Sequence, residues 1–472
     1  MAPPRILLAL VAVAVLAGGC ATVSPDGGVG DVQALSQGRV QGTPVRLVAG
    51  PTEASQQAVA ALLAQPLDMD AAVQVALLNN PGLQASLATL GMSDADRAQA
   101  GRLANPHLSL GRMVEGDKVE IERALGFNLM AVLTLPWRAQ WAGQQTELAR
   151  LQAAQDVVRL AADTRKAWIL AVAAQQSAAY QRDVKDAAEA GAELARRMAR
   201  VGNLSRLNQA REQSFLAEAT AQLARAEQAA FSSREHLTRM LGVWGAQTAF
   251  TLPGRLPDLP ASPRQLNDVE AQAIAQRLDV RSAAREAVFV GDSLGVQRAT
   301  GFIDALDLKV VRNTTFDQAA GTRETLRGAE IELPLPIFDW GQARHARAQA
   351  VYAQAVARVR DVGVRARSEA REAYHAYRTA YDLSRHYRDE IVPLRKFIND
   401  EVLLRYNGMI SGIFELLADA RTNVAAVNAS LEAQRDFWLA ETDLHTTLSG
   451  TSPGALTRMQ ASGAPGAEAK GH

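Results

Sequence analysis

Apolar and polar residues alternate along two separate stretches of this chain. In Val119–Trp137 the odd positions are mostly apolar and the even positions mostly polar or small, and similar alternation returns in Leu306–Val310 and Glu330–Ile337. Alternation of this kind predicts β-strands that present one apolar face. Asn105–Val114 is the predicted partner of the first strand, so the sequence predicts two strand pairs.

A long stretch of helical character follows each strand pair. Ala139–Arg200 and Gln342–Arg405 are about 62–64 residues long, and at ~1.5 Å per residue each would span roughly 90–95 Å. Each stretch ends at a glycine-containing turn and continues into a return helix, at Ser205–Leu241 and Ser411–Leu448. Because helices of this length need neighbours in a bundle or coiled coil, the predicted fold class is mainly α with a small β part.

The pattern occurs twice because the chain contains an internal repeat. Leu133-Thr-Leu-Pro136-Trp137 matches Leu333-Pro-Leu-Pro336-Ile337 at a shift of 200 residues, and Leu67–Ala88 resembles Leu266–Ala287 at a shift of 199. A repeat this long predicts two structurally equivalent halves, each a strand pair with a long helical hairpin.

These patterns divide the chain into five segments. The segments are a signal peptide at 1–19, a lipid-anchored extended tether at 20–65, a first repeat at 66–255, a second repeat at 256–450 and a disordered tail at 451–472. The tether and the tail are predicted from glycine-rich and proline-containing composition without a clear period.

The N-terminus predicts export from the cytoplasm. Arg5 precedes an apolar stretch at Ile6–Ala17, and small residues lead to Cys20, which is the single cysteine of the chain. This is the pattern of a secretory signal, too short to be a spanning helix. It resembles a bacterial lipoprotein cleavage site, in which Cys20 would carry acyl chains such as palmitate, and Ala21 after it suggests onward sorting to the outer membrane. The alternative is an ordinary signal peptide with a chance cysteine.

Charge and motif content argue against nucleic-acid binding and catalysis. Lys plus Arg and Asp plus Glu are both 50, so no net charge attracts nucleic acid. The sequence shows no catalytic motif, no metal-type spacing of Cys and His, and no cofactor signature, so the protein is predicted not to be an enzyme. Tyr374, Tyr377 and Tyr381 form a stripe at helical spacing, which is interpreted as packing between helices, with a ligand platform as the alternative.

Four strands with one apolar face cannot close a barrel within one chain. Open edges in lipid would leave N–H and C=O groups without partners. If the apolar face meets lipid, several chains must therefore pool their strands, and three chains would give twelve strands, within the range of outer-membrane barrels. The alternative is a soluble sheet packed on helices, against which the length of the adjoining helices argues.

The layout resembles the outer-membrane efflux protein (TolC-like) family over roughly residues 66–450. The resemblance rests on the duplicated Leu-x-Leu-Pro motif, on the glycine-containing hairpin tips, and on Leu333–Gln342, which resembles the family's P-(I/L)-F-D-x-G junction between strand and helix. In the first half this junction is degenerate. The matching junction residues are Pro136, Pro336, Phe338, Asp339 and Gly341.

The resemblance implies a homotrimer with a twelve-stranded outer-membrane β-barrel above an α-helical periplasmic tunnel. In the family the closed tunnel end opens when it meets a periplasmic adaptor and an inner-membrane pump, and one subfamily is lipoprotein-anchored. The expected adaptor contacts are at the two hairpin tips. They are Gly202, Asn203, Leu204, Ser205, Gly408, Met409, Ile410 and Ser411.

Family members carry acidic residues just past the second tip, and Glu415 and Asp419 fall near those positions. Four residues apart, they share one helical face. In a trimer each would form a ring of three carboxylates, which attracts cations and whose self-repulsion favours dilation. Arg206 and Arg211 in the first half could pair with these acids and hold the entrance shut. The alternative is a solvated acidic face paired with Arg421 or another basic residue.

The sequence thus predicts a passive exit duct in the bacterial outer membrane. An alternative within transport is the outer-membrane component of a protein-secretion system, and drug, metal-ion and protein cargoes all remain open. An alternative of another class is a periplasmic coiled-coil scaffold lipoprotein that forms no pore. The in-register apolar strand faces argue against a scaffold, which needs no lipid-facing alternation.

Overall fold

A computed structural model describes residues 22–42, 44–300, 306–333, 337–338, 340–410, 412–454 and 456, with side chains described for all of these except 295–300 and 414. The chain divides into two compact units. The sheet unit comprises 1–31, 87–153 and 281–362, and the helical unit comprises 32–86, 154–280 and 363–472. Each repeat contributes residues to both units. The predicted signal peptide and Cys20 lie outside the described residues.

The helices and strands are, in chain order, α1 (Val29–Ser36), α2 (Glu53–Leu63), α3 (Met69–Asn79), α4 (Pro81–Ala100), β1 (His107–Glu115), β2 (Lys118–Asn128), α5 (Leu129–Leu133), α6 (Leu135–Arg200), α7 (Arg206–Leu241), a 3₁₀ turn (Gly245–Ala249), α8 (Val269–Gln276), α9 (Leu278–Thr300), β3 (Asp307–Asp317), β4 (Thr322–Glu332), α10 (Gln342–His386), a π-helical turn (Tyr387–Ile391), α11 (Val392–Asn407) and α12 (Ile413–Ser449).

The four strands form one antiparallel sheet in the order β1-β2-β3-β4. The central pair joins the two repeats, with Val119 of β2 opposite Phe316 of β3 and Leu125 opposite Val310. Because residues paired across strands lie on the same face, the apolar positions of both repeats share one face. This confirms the two predicted strand pairs and their common apolar face.

The junction between strand and helix in the first repeat differs from the prediction. The alternation predicted a strand as far as Trp137, whereas β2 ends at Asn128 and α5 begins at the next residue. The Asn128 side chain accepts a hydrogen bond from the backbone N–H of Ala131 at 2.6 Å and caps α5. Pro136 is the second residue of α6, where it is tolerated because N–H groups in a first turn have no helical acceptor. The Leu-Thr-Leu-Pro-Trp segment is therefore mostly helical.

The two long helices have different outcomes. α6 is continuous over 66 residues, which confirms the first prediction. The second predicted helix is interrupted by the π-helical turn between α10 and α11. Pro393 at the second position of α11 has no N–H for a helical hydrogen bond, and its ring clashes with the carbonyl four residues earlier, so the preceding turn widens. Because every residue from Gln342 to Asn407 is helical, the predicted extent of this helix is confirmed, but the helix contains a π-helical turn that the sequence analysis did not predict.

Apolar clusters hold the helical unit together. Trp168 of α6 is buried in one cluster and donates its indole N–H to the Leu67 carbonyl oxygen at 2.8 Å. In another cluster, Tyr377 and Tyr381 of α10 pack against Phe437 of α12, each with its ring centroid 5.7 Å from the Phe437 ring centroid. Both tyrosines are almost fully buried, so the tyrosine stripe packs between helices as interpreted from its spacing.

The expectation of an extended tether at 20–65 is wrong for part of that segment, because α1 and α2 lie within it. Val32 of α1 and Val59 of α2 are buried. Each helix therefore packs through an apolar residue, although the sequence of this segment has no clear hydrophobic period. Thr52 and Ser55 form a capping box at the start of α2, in which each side chain accepts a hydrogen bond from the backbone N–H of the other residue.

The predicted disordered tail also begins too early. Thr451 is buried, the Ser452 hydroxyl donates to Glu369 Oε1 at 2.9 Å, and Leu456 packs against the cluster that contains Tyr377. Residues 455 and 457–472 lie outside the described residues.

Arg277, between α8 and α9, is the centre of a buried ionic cluster in the helical unit. Its side chain is 1% exposed. Nε and Nη2 donate to the two carboxylate oxygens of Asp279 at 3.0 and 2.6 Å, and Nη1 donates to Glu369 Oε2 at 2.7 Å. Burial alone would lower the pKa of Arg277, but the hydrogen bonds and charges of the two carboxylates outweigh it and raise the pKa. The cluster ties the α8–α9 junction to α10.

A histidine of α12 gives the helical unit a predicted pH dependence. Burial, assisted by the charges of Arg264 and Arg165, lowers the pKa of His445 from 6.5 to about 4. Glu441 lies on the same face of α12, and its carboxylate is engaged by Arg264 at 3.1 Å. His445 is therefore neutral in the folded protein at pH values where the unfolded chain already binds a proton.

We expect the free energy of unfolding to fall as the pH drops from 6.5 to about 4, because the unfolded state binds more protons in that window. The lowered pKa of His445 changes the free energy of unfolding by about 2 kcal/mol over this pH range. This is less than the full pKa shift implies, because the side chain is only partly buried. Urea unfolding at a series of pH values measures it. His445→Gln removes this part of the dependence, and an unchanged pH profile in that variant would contradict the assignment.

Candidate functional site

The sheet has one apolar face and one acidic face, because side chains alternate along each strand. The apolar face carries Leu108, Leu110, Val114, Val119, Ile121, Leu125, Phe127, Leu308, Val310, Phe316 and Ile331. The acidic face carries Glu115, Glu120, Glu122, Asp317, Glu324 and Glu330. Several apolar side chains are strongly exposed, including Leu110 at 71% and Ile331 at 66%. The same face also carries Arg112, Arg123, Arg312, Arg323 and Arg327. Exposed apolar side chains in this number mark a surface that meets lipid or a partner.

The sheet is open at both edges. β1 and β4 are its outer strands, with 9 and 11 residues. Within the described chain, β1 pairs only with β2 and β4 pairs only with β3. Each outer strand therefore presents a row of unpaired backbone N–H and C=O groups, which is a template for pairing with another chain. Within one chain this sheet is incomplete as a membrane-facing structure.

Exposed aromatic residues lie where the sheet meets the helices. Trp137 at the start of α6, and Phe338 and Trp340 before α10, are exposed, Phe338 to 99%. Gly341 has φ of 78°, a left-handed conformation that favours glycine, and it directly precedes α10. β4 ends before the predicted strand end at Ile337. Of the other predicted junction residues, Pro336 and Asp339 lie outside the described residues.

The two hairpin tips have different backbone geometry. At the first tip Gly202 has φ of 80°, and the Asn203 N–H donates to the Met198 carbonyl oxygen at 2.9 Å, which closes the end of α6. Ser205 then caps α7, with Oγ 3.3 Å from the backbone nitrogen of Asn208.

At the second tip the left-handed residue is Met409, with φ of 58°, rather than Gly408. Met409 and Ile410 are 95% and 79% exposed. Val201 of the first tip is also exposed. Leu204 is half-buried, and Ser411 lies outside the described residues. Both tips thus present apolar side chains to solvent.

The four predicted gate residues are not brought together within one chain. Glu415 is exposed in the first turn of α12, and Asp419 lies one turn later with Oδ2 buried. Arg206 and Arg211 at the start of α7 are exposed. In the part of the chain that the structure describes, neither arginine is in a salt bridge with either acid, and Arg211 instead approaches Asn208 Oδ1 at 3.5 Å. Asp419 Oδ2 has no hydrogen-bond partner among the described residues.

A different ion pair joins α7 to α12 near the tips. Glu212 is buried, and its Oε1 accepts a hydrogen bond from Arg421 Nη2 at 2.9 Å. The Arg421 guanidinium also lies over the ring of Phe215, 4.5 Å from its centroid. The sequence predicted an arginine–carboxylate contact near this place with Arg206 and Arg211, and named Arg421 as an alternative partner; within one chain the ion pair is formed by Arg421 with Glu212. One feature of the sequence could have indicated this pair, because Glu212 and Arg421 each follow a tip turn at a similar distance along the chain.

No family model and no curated protein matches this sequence. Solved structures do match. A membrane protein from Pseudomonas aeruginosa is 20% identical, with 80% of this chain and 92% of that chain covered and a TM-score of 0.68. The Vibrio cholerae outer membrane protein VceC is 15% identical, with 81% and 96% covered and a TM-score of 0.64. The Neisseria gonorrhoeae outer membrane channel MtrE in its open state is 20% identical, with 81% and 89% covered and a TM-score of 0.59.

The chain has the fold of these three proteins. The agreement confirms the fold class predicted from the sequence and the resemblance on which that prediction drew. Within the described ranges, no helix is long and apolar enough to cross a bilayer. In the same ranges, no group of His, Cys, Asp and Glu side chains could hold a metal ion.

Proposed function

We propose that this protein is the exit duct of a tripartite efflux system in the bacterial outer membrane. Solutes would pass through it passively from the periplasm to the exterior. The observation that carries the proposal is the open antiparallel sheet with one apolar face, in a chain that has the fold of outer-membrane channels. Such a sheet can meet lipid only after its edges are paired.

Three copies of the chain would complete the barrel. Four strands from each protomer give twelve, which is within the range for outer-membrane barrels. The outer strand β1 of one protomer would pair with β4 of the next around a threefold axis, so that no edge remains. The apolar face would then face lipid and the acidic face the lumen.

The hairpin tips are the proposed contact with a periplasmic adaptor. Val201, Met409 and Ile410 are exposed apolar side chains at the ends of long helices, and exposed apolar groups of this kind suit a protein partner. An inner-membrane pump would supply the energy, and the duct itself would carry out no chemistry.

Cys20 is the proposed lipid anchor after removal of residues 1–19. Acylation there would hold the mature N-terminus at the outer membrane, with the helices in the periplasm. Mass spectrometry of the mature N-terminal peptide tests this, since an unmodified Cys20 would overturn the anchoring proposal without affecting the duct.

The proposed gate lies just past the second tip. Glu415 and Asp419 of three protomers would form two acidic rings that attract cations. The Glu212–Arg421 pair would hold α12 against α7 in the closed state.

Planar-bilayer recording of the purified mature protein, with its native mass measured in parallel, tests the duct. We expect a trimer with a small, cation-selective conductance. Glu415→Gln combined with Asp419→Asn is expected to lower the cation-to-anion permeability ratio about threefold, because the pore entrance loses two rings of carboxylates.

Asp186→Asn combined with Glu218→Gln is the matched control, since it removes the same charge from exposed sites farther along the helices. It should leave the permeability ratio unchanged. A monomer that forms no pores would overturn the duct and favour a periplasmic scaffold.

A further inference from the structure

A line of paired residues crosses the sheet at right angles to its strands. Leu110 of β1 is opposite Arg123 of β2. Arg123 is opposite Arg312 of β3, which in turn is opposite Arg327 of β4. The line therefore leaves the sheet at Arg327, on the same face as Leu110. The residue of a neighbouring chain that lies opposite Arg327 determines how far the next sheet is displaced along the strands.

A closed barrel requires such a displacement. Strands in barrels are tilted by typically ~35–45°, so a line at right angles to them returns to its first strand at a different residue. In a threefold barrel of four-stranded sheets, each joint between protomers supplies one third of this displacement. If Leu110 of the next protomer were opposite Arg327, the line would return to its starting residue and the strands would not tilt.

The two faces of the sheet and the tilt of the strands restrict the size of the displacement. An odd number of residues would turn the apolar face of the next protomer toward the lumen, so the number must be even. With ~3.4 Å per residue and ~4.8 Å between strands, displacements of two, four and six residues at each joint give tilts of about 20°, 35° and 47°. Four residues is therefore the displacement that agrees with the usual tilt.

Like charges also argue against a displacement of two residues. On the apolar face, β1 carries Arg112, and β4 carries Arg323 and Arg327. A displacement of two residues places Arg112 opposite Arg327 in one direction and opposite Arg323 in the other. Like charges directly opposite each other destabilise a sheet, so both of these registers are unfavourable.

Exposed apolar residues distinguish the two directions of a four-residue displacement. Toward the helix end of β4, Leu110 of the next protomer is opposite Ile331. Leu108 is then opposite Leu333, the residue after β4, and all four side chains are exposed in the single chain. Toward the hairpin end, Leu110 would instead be opposite Arg323. Because apolar cross-strand pairs stabilise a sheet, the displacement toward the helix end is favoured.

We propose that β1 of one protomer pairs with β4 of the next at a displacement of four residues, with Leu110 opposite Ile331. The proposal rests on the proposed function, in which three copies of the chain form one barrel, and it adds the register of their joint. The backbone N–H and C=O groups that are unpaired at the edges of the single sheet become hydrogen-bonded in this arrangement, as a barrel in lipid requires.

The register also separates the arginines of the two edges. Arg112 lies opposite Ala329 in this arrangement. Arg327 lies opposite Val114, so no arginine of one edge is directly opposite an arginine of the other. The joint therefore combines apolar contacts near the helix ends with the absence of a like-charge pair.

Crosslinking between engineered cysteines tests the register. The double variant Leu110→Cys, Ile331→Cys places two cysteines opposite each other across the joint, with Cβ atoms about 5 Å apart. Oxidation of the full-length protein in outer membranes, followed by electrophoresis without reductant, is expected to give covalent dimers and trimers. The two outer strands of one chain are about 14 Å apart, so this pair of cysteines can join only different chains.

Three other cysteine pairs represent the competing registers. Leu110→Cys with Arg327→Cys represents no displacement, and Arg112→Cys with Ile331→Cys represents six residues. Leu110→Cys with Arg323→Cys represents four residues in the opposite direction. Each pair is expected to crosslink at least ~5-fold less than the predicted pair, because its cysteines lie two or more residues away from the opposite position.

Single variants control for the natural cysteine. Cys20 is the one cysteine of the chain, so neither Leu110→Cys nor Ile331→Cys alone should form more covalent dimer than the wild type. If the double variant does not insert into the membrane, co-expression of the two single variants should still give covalent dimers across the mixed joint.

The conductance and native mass of the same preparations separate this inference from the proposed function. A trimer that forms pores but crosslinks best through another pair, or through none of the pairs, overturns the register alone. A monomer that forms no pores overturns the proposed barrel and the register with it.

Discussion

Arg277→Ala is expected to lower the free energy of unfolding by about 3–5 kcal/mol. The Arg277 side chain is 1% exposed and is the cation shared by Asp279 and Glu369, whose side chains are each 18% exposed. Its removal leaves two largely buried carboxylates without a counterion and close enough to repel each other. Urea unfolding in detergent, followed by circular dichroism, measures the loss.

Arg255→Ala is the matched control, because Arg255 and its partner Asp258 are both 74% exposed. An exposed pair of this kind contributes at most about 1 kcal/mol. Arg277→Met combined with Asp279→Asn and Glu369→Gln should recover part of the loss, since it removes the charges together. A loss below 1 kcal/mol in Arg277→Ala would show that the cluster is hydrated rather than buried.

The sequence predicted the fold well because periodicity and duplication reinforce each other. Alternation in both repeats placed one apolar face on the sheet, and the pairing of Val119 with Phe316 confirms it. Periodicity could not locate the end of β2, because an apolar alternating segment can also form a short helix. The Asn128 side chain decides the boundary through a local cap.

The candidate site was less predictable because it depends on which helix faces meet. Spacing places Glu415 and Asp419 on one face of α12, but it does not say which residue of α7 lies across from them. The structure pairs Arg421 with Glu212 and leaves Arg206 and Arg211 exposed. The Arg277 cluster was not predicted for the same reason, because Glu369 is 92 residues from Arg277 along the chain.

Arg421→Ala is expected to increase the conductance of the reconstituted protein several-fold. Glu212 is buried and the guanidinium of Arg421 is its partner at 2.9 Å, so the variant removes a contact between α7 and α12 that the proposed closed state requires. Leaving Glu212 buried without a cation disfavours the closed arrangement. Because Arg421 is itself partly exposed, we expect a shift of about 1–2 kcal/mol, or roughly 5–30-fold in the ratio of open to closed channels.

The double variant Arg206→Ala, Arg211→Ala tests which arginines stabilise the closed state. These arginines lie near the same tip but form no ion pair with Glu415 or Asp419 among the described residues, so their removal should leave the conductance near that of the wild type. Arg421→Lys should fall between Arg421→Ala and the wild type, because it keeps the charge beside Glu212 and loses the planar contact with Phe215. If the Arg206 and Arg211 variant instead had a higher conductance than Arg421→Ala, the contact that stabilises the closed state would lie between protomers.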